Sequence, residues 1–283
     1  MNLSTLQGAI SRVKQVITLQ AQWWRHENVR VRDKFRFTLG CALAPFTGSI
    51  NYLGSEFSSD NKVALLLLPE YARMVTDAFL KLDTQNPSEL RVLDVGANVG
   101  QFGATVSRMY GCEIVSVEPN PICWPYLREN GAGVGTWSLQ QRGLADQPGE
   151  LELFFVRNKS AQGSFSQSNA GRDLIGGGEV ESIVVQVGPF VEAGGTPQAF
   201  DLVKIDVEGF ELEVIRGLNG VKIGHLLIEI DEDRDHGFTQ RDLEDVTRSA
   251  LNMEIEQVWC DRATSAQGPR NVLYRCHKMR PSE

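Results

Sequence analysis

The chain has 283 residues, of which 42% are hydrophobic, and a formal net charge of −8. This length fits one large domain, or one domain with an accessory segment, and supplies ample apolar residues for a core. The acidic charge argues against nucleic-acid binding, and no apolar run approaches the roughly 18 residues of a membrane span. No secretory signal is evident, and the five cysteines lack Cys-x-x-Cys spacing. We therefore expect a cytoplasmic protein with reduced thiols, no transmembrane segment and no zinc site.

The first 40 residues are basic, in contrast to the rest of the chain. They hold seven Lys or Arg and two acidic residues, which gives them a net charge of +5 and leaves −13 on the remainder. Residues 3–25 are predicted to form an amphipathic helix. Its apolar stripe comprises Ile10, Val13, Ile17 and Trp24. We predict that this segment docks on the acidic remainder or on a second subunit, which leaves a homodimer open. The alternative is peripheral contact with an anionic membrane.

The first predicted strand runs into a glycine turn and a helix. Residues 37–60, which contain Gly, Ser and Pro, are predicted to be irregular, and residues 65–82 to form a helix that packs on a sheet. Val92, Leu93 and Val95 then form the short apolar run of a buried strand, which stops at Gly96. After Gly100, apolar residues recur at helical spacing. Such a turn lets a ligand approach the backbone closely, but the three-glycine dinucleotide motif is incomplete.

The second predicted strand ends in a carboxylate. Residues 114–117 form the strand, and Glu118 follows it, 22 positions after Gly96. In doubly wound folds an acidic residue roughly 20 positions past the glycine turn binds ribose hydroxyls, and a carboxylate has two oxygens to accept from two hydroxyls. Pro119 then stops the strand. The spacing therefore predicts that Glu118 binds a ribose.

The remaining elements continue the alternation of strands and helices. Residues 136–144 are predicted to be a third strand, closed by Asp146. A pair of strands, 151–156 and 182–187, flanks a long polar loop, 157–180, which we expect to order over the site when substrate binds. Further strands are expected at residues 202–206, 225–231, 255–260 and 271–277, the last two as an antiparallel pair. This alternation predicts a doubly wound α/β sheet.

Two motifs carry a family resemblance. The first is Asp94-Val-Gly-Ala-Asn-Val-Gly100, and the second is Lys204-Ile-Asp-Val-Glu-Gly209. Together they resemble the signature of FkbM-type methyltransferases, over about residues 90–232. The resemblance implies a seven-stranded, mostly parallel, Rossmann-like sheet and S-adenosylmethionine-dependent O-methylation, often of sugar-like or natural-product hydroxyls. On this interpretation residues 1–60 form an N-terminal helical and irregular extension, and residues 61–283 form the methyltransferase domain.

The cofactor is expected against the glycine turn and the ends of the first strands. Asp94 could attract the ammonium group of S-adenosylmethionine, and Glu118 could bind its ribose. Asp146 stands where related methyltransferases place an adenine contact, and it could accept the adenine amino hydrogen or be only a turn residue. The residues predicted to bind the cofactor are Asp94, Gly96, Ala97, Asn98, Gly100, Phe102, Glu118, Pro119 and Asp146.

Three residues are candidates for the general base that takes the acceptor's proton. Asp206 and Glu208 follow the strand beside the cofactor turn, with Asp206 closest to the expected methyl position, and His236 belongs to a residue type that titrates near pH 7. Glu229, Asp231, Asp233 and His236 could instead join Asp206 in a Mg²⁺ or Ca²⁺ site. A solvated acidic loop is the favoured interpretation, so we predict no metal. Lys204, unusual within a core strand, is expected to pair with a carboxylate and is given no catalytic role.

Two other functions stay open at this point. An NAD-dependent oxidoreductase would use the same geometry at Gly96 and Glu118, but the third glycine is missing and the motif at residues 201–211 disfavours it. A non-catalytic scaffold would keep the fold for partner binding, although Asp94 and Asp206 are intact. The sequence favours a methyltransferase whose acceptor is a small molecule or a glycan.

Overall fold

The structure is a computed structural model. It describes residues 20–21, 23–27, 29–47, 49–59, 62–133, 135–156, 159–170, 179–190, 198–231, 237–261 and 270–279. Ile10, Val13 and Ile17 of the predicted N-terminal stripe lie outside these ranges, as do Asp233 and His236. None of the described helices combines the length and the apolarity needed to cross a membrane.

Helices and a hairpin precede the main sheet. They are α1 (Val31–Thr47), β1 (Ser49–Tyr52), β2 (Ser55–Ser58), α2 (Lys62–Leu66) and α3 (Leu68–Phe79). The prediction that residues 37–60 are irregular was therefore wrong. The helix α1 packs on the hairpin so closely that a Cβ on Gly40 would lie 3.1 Å from the Cβ of Ile50. This tertiary packing stabilises a helix that local propensity alone does not indicate.

Strands and helices then alternate. The next elements are β3 (Arg91–Val95), α4 (Gln101–Tyr110), β4 (Glu113–Val117), α5 (Trp124–Gly131), β5 (Trp137–Gln140), β6 (Gly143–Leu144), β7 (Gly149–Val156), β8 (Lys159–Ser164) and β9 (Val180–Gly188). The last ones are β10 (Ala199–Ile205), α6 (Glu211–Gly217), β11 (Lys222–Ile230), α7 (Gln240–Leu251), β12 (Met253–Cys260) and β13 (Arg270–Lys278).

The main sheet has seven strands in the order β12-β13-β11-β10-β3-β4-β5. The strand β13 pairs antiparallel with both β11 and β12, and the remaining neighbours pair parallel. This confirms the predicted doubly wound, mostly parallel sheet with an antiparallel closing pair. From β3 the chain moves outward to β4 and β5, and it later returns to β10 on the other side of β3. In such sheets ligands bind at this reversal of strand order, beyond the carboxyl ends of the strands.

A second, smaller sheet lies apart from the main one, in the order β6-β9-β7-β8. The predicted pairing of residues 151–156 with 182–187 is confirmed by the antiparallel β7 and β9. The single strand predicted for residues 136–144 was wrong, because β5 joins the main sheet whereas β6 pairs with β9. Part of the predicted loop 157–180 is also a strand, β8, which pairs with β7. Within the connection from β8 to β9, residues 171–178 lie outside the described ranges.

The alternation of side chains along β3 and β10 brings charge to one face of the main sheet. Leu93 and Val203 belong to one hydrophobic cluster, and Leu202 belongs to another, which contains residues of α3 and α4. Asp94 and Lys204 are register partners on the adjacent strands β3 and β10. Because side chains two positions apart share a face of a strand, Lys204 lies on the side of Leu202, under α3 and α4.

The described part of the N-terminal extension shares a core with the first glycine turn. Trp23 is fully buried and belongs to a cluster that also contains Phe37, Tyr52 and Ala97. Its neighbour Trp24 is 43% exposed. Residues 20–59 therefore pack on the main domain as far as they are described, and association with a second subunit stays a prediction.

Candidate active site

The turn between β3 and α4 is held between the ends of β4 and β10. The backbone N–H groups of Gly96 and Ala97 both donate to the carbonyl oxygen of Val117, at 3.0 and 3.2 Å. Gly96 has a φ of +75°, and a Cβ there would lie 1.9 Å from the carbonyl oxygen of Asp206. Only glycine combines this left-handed conformation with so close an approach of two backbones. The turn that we predicted to bind the cofactor thus touches the strand end that we predicted to be catalytic.

Glu118 is buried at the end of β4 and bridges the two neighbouring turns. Its Oε2 accepts from the N–H of Asn98 at 2.7 Å, and its Oε1 accepts from the N–H of Asn120 at 2.8 Å. Asn98 itself is left-handed, with a φ of +52°. Burial raises the pKa of Glu118 to about 7, although the two N–H groups oppose this shift. The half-buried Pro119 lies between the two hydrogen-bonded positions.

Asp94 is a fully buried carboxylate without a hydrogen bond. Its Oδ1 lies 3.6 Å from the Nζ of Lys204, and both of its oxygens lack a hydrogen-bond partner. Burial raises the pKa of Asp94, and the charge of Lys204 opposes the shift. A buried carboxylate in this state has a strong tendency to attract a cation or a donor.

The carboxyl end of β10 carries the predicted catalytic residues. The Nζ of Lys204 lies 3.2 Å from the Oδ2 of Asp206, and the side chain of Asp206 is 24% exposed. The N–H of Asp206 donates to the carbonyl oxygen of Val95 at 3.2 Å, which continues the pairing of β10 with β3. Asp206 therefore has a fixed backbone and a carboxylate that reaches solvent.

The turn that follows Asp206 is held by side chains from three directions. Glu208 is left-handed, with a φ of +59°. Its carbonyl oxygen accepts from the Oγ of Ser164 at 2.7 Å and from the Nδ2 of Asn169 at 3.1 Å. From the first turn of α6, Glu211 accepts from the N–H of Gly209 at 3.1 Å. No sequence motif indicated Ser164 or Asn169, because they come from the smaller sheet and its connection.

Three carboxylates converge at this edge. Asp206, Glu208 and Glu229 each offer an oxygen within 4.8 Å of the others, and among the described residues they are the one group of this kind. Glu229 comes from β11, the neighbour of β10 in the main sheet. Oxygen ligands at these separations could hold a divalent cation, and they could equally accept hydrogen bonds from hydroxyl groups. The predicted base His236 lies outside the described residues.

Tyr71 of α3 is a further member of the site that sequence analysis missed. Burial raises the pKa of its phenol, and the charges that act on it are those of Lys204, Asp206, Asp94 and Glu229. The phenol is therefore protonated at neutral pH, and it lies close enough to these groups to be influenced by their charges. Within the predicted helix at residues 65–82, nothing in the apolar pattern distinguishes Tyr71 from a core residue.

The other predicted cofactor residues lie in different surroundings. Gly100, with a φ of +91°, precedes α4. Phe102 is buried in the core below the turn, with its ring 5.9 Å from the Nζ of Lys204. Asp146 is exposed in the turn between β6 and β7, beside the smaller sheet. The third strand of the main sheet ends earlier, at Gln140, whose carbonyl oxygen accepts from the N–H of Glu118 at 3.1 Å. The contact between Asp146 and adenine stays a prediction.

Comparison with known sequences places this site within a known family. The chain matches the methyltransferase FkbM domain over residues 94–254, which is more than half of its 283 residues. It is 25% identical over 204 residues to the hexuronic acid methyltransferase AglP of Haloferax volcanii, and this alignment covers 71% of the chain and 80% of that protein. It is 26% identical over 160 residues to the methyltransferase sdnD of Sordaria araneosa, covering 47% of the chain and 62% of that protein.

Two solved structures were compared with the chain, and both have TM-scores below 0.5. Magnesium protoporphyrin IX methyltransferase of Synechocystis, solved with bound S-adenosylmethionine, has 11% identity and a TM-score of 0.44, with 85% of this chain and 96% of that chain covered. An O-methyltransferase family protein of Burkholderia thailandensis has 14% identity and a TM-score of 0.42, with 76% and 58% covered. The glycine turn, Glu118 and the motif at residues 204–209 all lie within the segment that matches the family. The chain therefore belongs to the FkbM family of methyltransferases.

Proposed function

We propose that this methyltransferase transfers a methyl group from S-adenosylmethionine to a hydroxyl oxygen of a sugar or sugar-like acceptor. The observation that carries the proposal is the convergence of Asp206, Glu208 and Glu229 to within 4.8 Å at one edge of the sheet. This edge adjoins Gly96, through the contact of that turn with the backbone of Asp206. Carboxylates accept hydrogen bonds from hydroxyl groups, so an acceptor with several hydroxyls suits this surface.

The residues around Gly96 fit the cofactor. Both buried oxygens of Asp94 lack a hydrogen-bond partner, so the cationic amino group of S-adenosylmethionine would satisfy them. Each carboxylate oxygen of Glu118 accepts one backbone N–H and keeps lone-pair capacity for a ribose hydroxyl. When bound, the cofactor supplies an electrophilic methyl group on a sulfonium.

Asp206 is the proposed general base. Its backbone is fixed by the hydrogen bond to Val95, while its carboxylate reaches solvent at the edge where an acceptor can approach. Because a carboxylate is too weak a base to form a free alkoxide beforehand, the proton moves to Asp206 while the acceptor oxygen attacks the methyl group. General base catalysis of this kind contributes about 10²- to 10⁴-fold in rate. Glu208 and Glu229 are proposed to orient the remaining hydroxyls, and His236 stays an alternative base.

Product analysis tests the acceptor class. The protein is incubated with methyl-labelled S-adenosylmethionine and a panel of hexose and hexuronic acid glycosides, and the products are analysed by mass spectrometry. We expect a single methyl group that survives mild alkali, because an ether is stable to alkali whereas the methyl ester of a uronic acid is hydrolysed. A labelled ester would contradict the hydroxyl assignment. Absence of transfer to every sugar, with transfer to another hydroxylated compound, would contradict the sugar assignment.

Two variants and a chelator test the roles of the residues. Asp206→Asn is expected to lower kcat by about 10²- to 10⁴-fold, with a much smaller loss of affinity for S-adenosylhomocysteine. Asp245→Asn, at a residue whose side chain is 61% exposed on α7, is the control and should keep full activity. We expect activity to survive EDTA, because Lys204 already pairs with Asp206. Loss of activity on chelation, restored by Mg²⁺, would assign the three carboxylates to a metal.

We also propose that the protein works in the cytoplasm. Cys41, Cys112, Cys123, Cys260 and Cys276 are all free thiols, as expected in a reducing compartment. Fractionation of the native host with an antibody against the chain would test this location.

A further inference from the structure

We infer that Lys204 is a positioning residue that ties the cofactor side of the active site to its acceptor side, by holding Asp94 and Asp206 as two anions around one buried ammonium. The inference rests on the proposed function in one respect, namely that Asp94 faces the cofactor and Asp206 faces the acceptor.

The ammonium of Lys204 contacts three groups from two segments. Its Nζ lies 3.6 Å from Asp94 Oδ1 and 3.2 Å from Asp206 Oδ2, and it donates to the carbonyl oxygen of Gly96 at 3.3 Å. A lysine has three N–H donors, so a single side chain reaches both carboxylates and the glycine turn. Lys204 and Asp94 are register partners on β10 and β3, so the pairing of the strands fixes this arrangement.

The charged groups around Lys204 leave a net negative charge that can attract a further cation. Burial alone would lower the pKa of Lys204, but Asp206, Asp94 and Tyr71 outweigh burial and raise it. Lys204 is therefore protonated at any physiological pH. With Asp94 and Asp206 ionised, the trio carries one net negative charge, which leaves an attraction for one cationic amino group. The other titratable groups that act on Lys204 are Tyr71 from α3 and Glu118 from β4.

Removal of the lysine charge would change the protonation of Asp94. Burial already raises the pKa of Asp94 against the opposing charge of Lys204. Without that charge its pKa would rise further, and a proton would occupy the carboxylate that should attract the cofactor. Cofactor affinity would then be lowest at low pH and would rise with pH, by up to about tenfold per pH unit. A lysine that served only to fill space would produce no such slope when replaced.

Calorimetric titration with S-adenosylhomocysteine between pH 6 and pH 9 tests this inference. The variants are Lys204→Gln, Lys204→Arg and the double variant Lys204→Gln/Asp94→Asn. The control is Lys222→Gln, at an exposed lysine on the neighbouring strand β11. The wild type and the control should share one profile, whose slope is set by the titration of Glu118 with its pKa of about 7. Lys204→Gln should bind at least about tenfold more weakly at pH 6 and recover as pH rises.

The remaining variants separate charge from packing. Lys204→Arg keeps the charge, so its affinity should depend on pH as that of the wild type does. The double variant lacks the Asp94 carboxylate, so it should bind weakly at every pH without the additional pH dependence of Lys204→Gln. With an acceptor in hand, Lys204→Arg should lower kcat by about tenfold or more with an unchanged KM for the cofactor, because the guanidinium displaces the carboxylate of Asp206.

Several outcomes would overturn the inference. An equal loss of affinity by Lys204→Gln at every pH would refute the positioning role, and so would wild-type binding by this variant. If Lys204→Gln does not fold, Lys204→Arg decides: a slope different from that of the wild type, or an unchanged kcat, refutes the role, and a superimposable binding profile together with the lower kcat supports it. Failure of the wild type to bind S-adenosylhomocysteine would instead remove the proposed function itself.

Discussion

At the scale of single residues, Glu118 couples the pH to the stability of the fold. Burial raises its pKa from 4.5 to about 7. Between these values the native state binds a proton that the unfolded state has released, so the free energy of unfolding falls as pH rises. The stabilisation from the protonated carboxyl is complete below the ordinary pKa and is lost as pH rises through about 7.

Glu118→Gln should remove this component. With roughly 1.4 kcal/mol per pKa unit, the wild type should lose on the order of 3 kcal/mol between pH 4.5 and pH 8 from this group, and the variant should lack that loss. Urea unfolding at both pH values measures the difference. The variant should also bind S-adenosylhomocysteine more weakly, by about tenfold. The exposed Glu254→Gln is the control, and equal pH slopes for all three proteins would contradict the prediction.

Gly96 and Gly133 have the same left-handed backbone conformation, but only Gly96 lies against another backbone segment. Its φ of +75° is nearly equal to the +74° of Gly133, but a Cβ on Gly96 would lie 1.9 Å from the carbonyl oxygen of Asp206, whereas nothing lies within 4 Å of a Cβ on Gly133. Gly133→Ala should cost about 1 kcal/mol for the left-handed conformation alone. Gly96→Ala should cost several times more and abolish cofactor binding. Thermal unfolding measures the stability of both variants. Similar losses of stability would show that the close approach of the Asp206 carbonyl oxygen to Gly96 does not matter for stability.

At the scale of elements, Trp137 fixes the packing of α4 and α5 on β5. A Cβ on Gly103 of α4 or on Gly131 of α5 would lie 2.8 Å from the Trp137 ring. The indole Nε1 donates to the Oγ of Ser116 on β4 at 3.0 Å. Glycine within these helices therefore provides room for a large ring, and the local loss of helix propensity has a packing reason.

A double-mutant cycle tests this interpretation. Gly103→Ala should destabilise the wild type by about 1–3 kcal/mol, because the helix cannot move away from the ring. In a Trp137→Phe background the same change should be neutral or stabilising, since alanine is the better helix former by roughly 0.5–1 kcal/mol. Urea unfolding of the four proteins gives the coupling energy. Additive effects would mean that the helix and the ring do not constrain each other.

The elements differ in how well the sequence alone predicts them. The strands β3, β4 and β10 were predictable because each is mostly apolar, as a strand buried on both faces usually is. The helix α1 and the strand β8 were not predictable, because α1 depends on packing against the hairpin that follows it and β8 pairs through its backbone with β7. The candidate site divides in the same way. Asp94, Glu118 and Asp206 follow from local motifs, whereas Ser164, Asn169 and Tyr71 reach the site only through the tertiary fold.

For the molecule as a whole, the described residues of the N-terminal extension share a hydrophobic cluster with the glycine turn of the main sheet. Trp23 is fully buried, its ring lies 4.8 Å from that of Phe37 and 5.7 Å from that of Tyr52, and its cluster includes Ala97 and Val99 of the glycine turn. An extension that was a separate unit would share no such cluster. Stability and cofactor binding should therefore depend on it.

The adjacent tryptophans provide a matched pair for this prediction. Trp23→Ala should cost about 3–5 kcal/mol, lower the affinity for S-adenosylhomocysteine and leave a single unfolding transition. Trp24→Ala, at a side chain that is 43% exposed, should cost less than about 1 kcal/mol. Urea denaturation monitored by circular dichroism measures both. If Trp23→Ala instead unfolded in two steps with normal cofactor binding, the N-terminal residues would be an independent unit.

The contact between Gly96 and Asp206 has a consequence for the evolution and redesign of this enzyme. Because the two backbones touch, the proposed donor and acceptor sides of the site should not be adjustable one at a time. New acceptor preferences must therefore arise at the periphery, where Ser164 and Asn169 support Glu208 from the smaller sheet. Libraries aimed at new acceptors should vary residues 165–168 and leave residues 94–100 and 204–209 untouched.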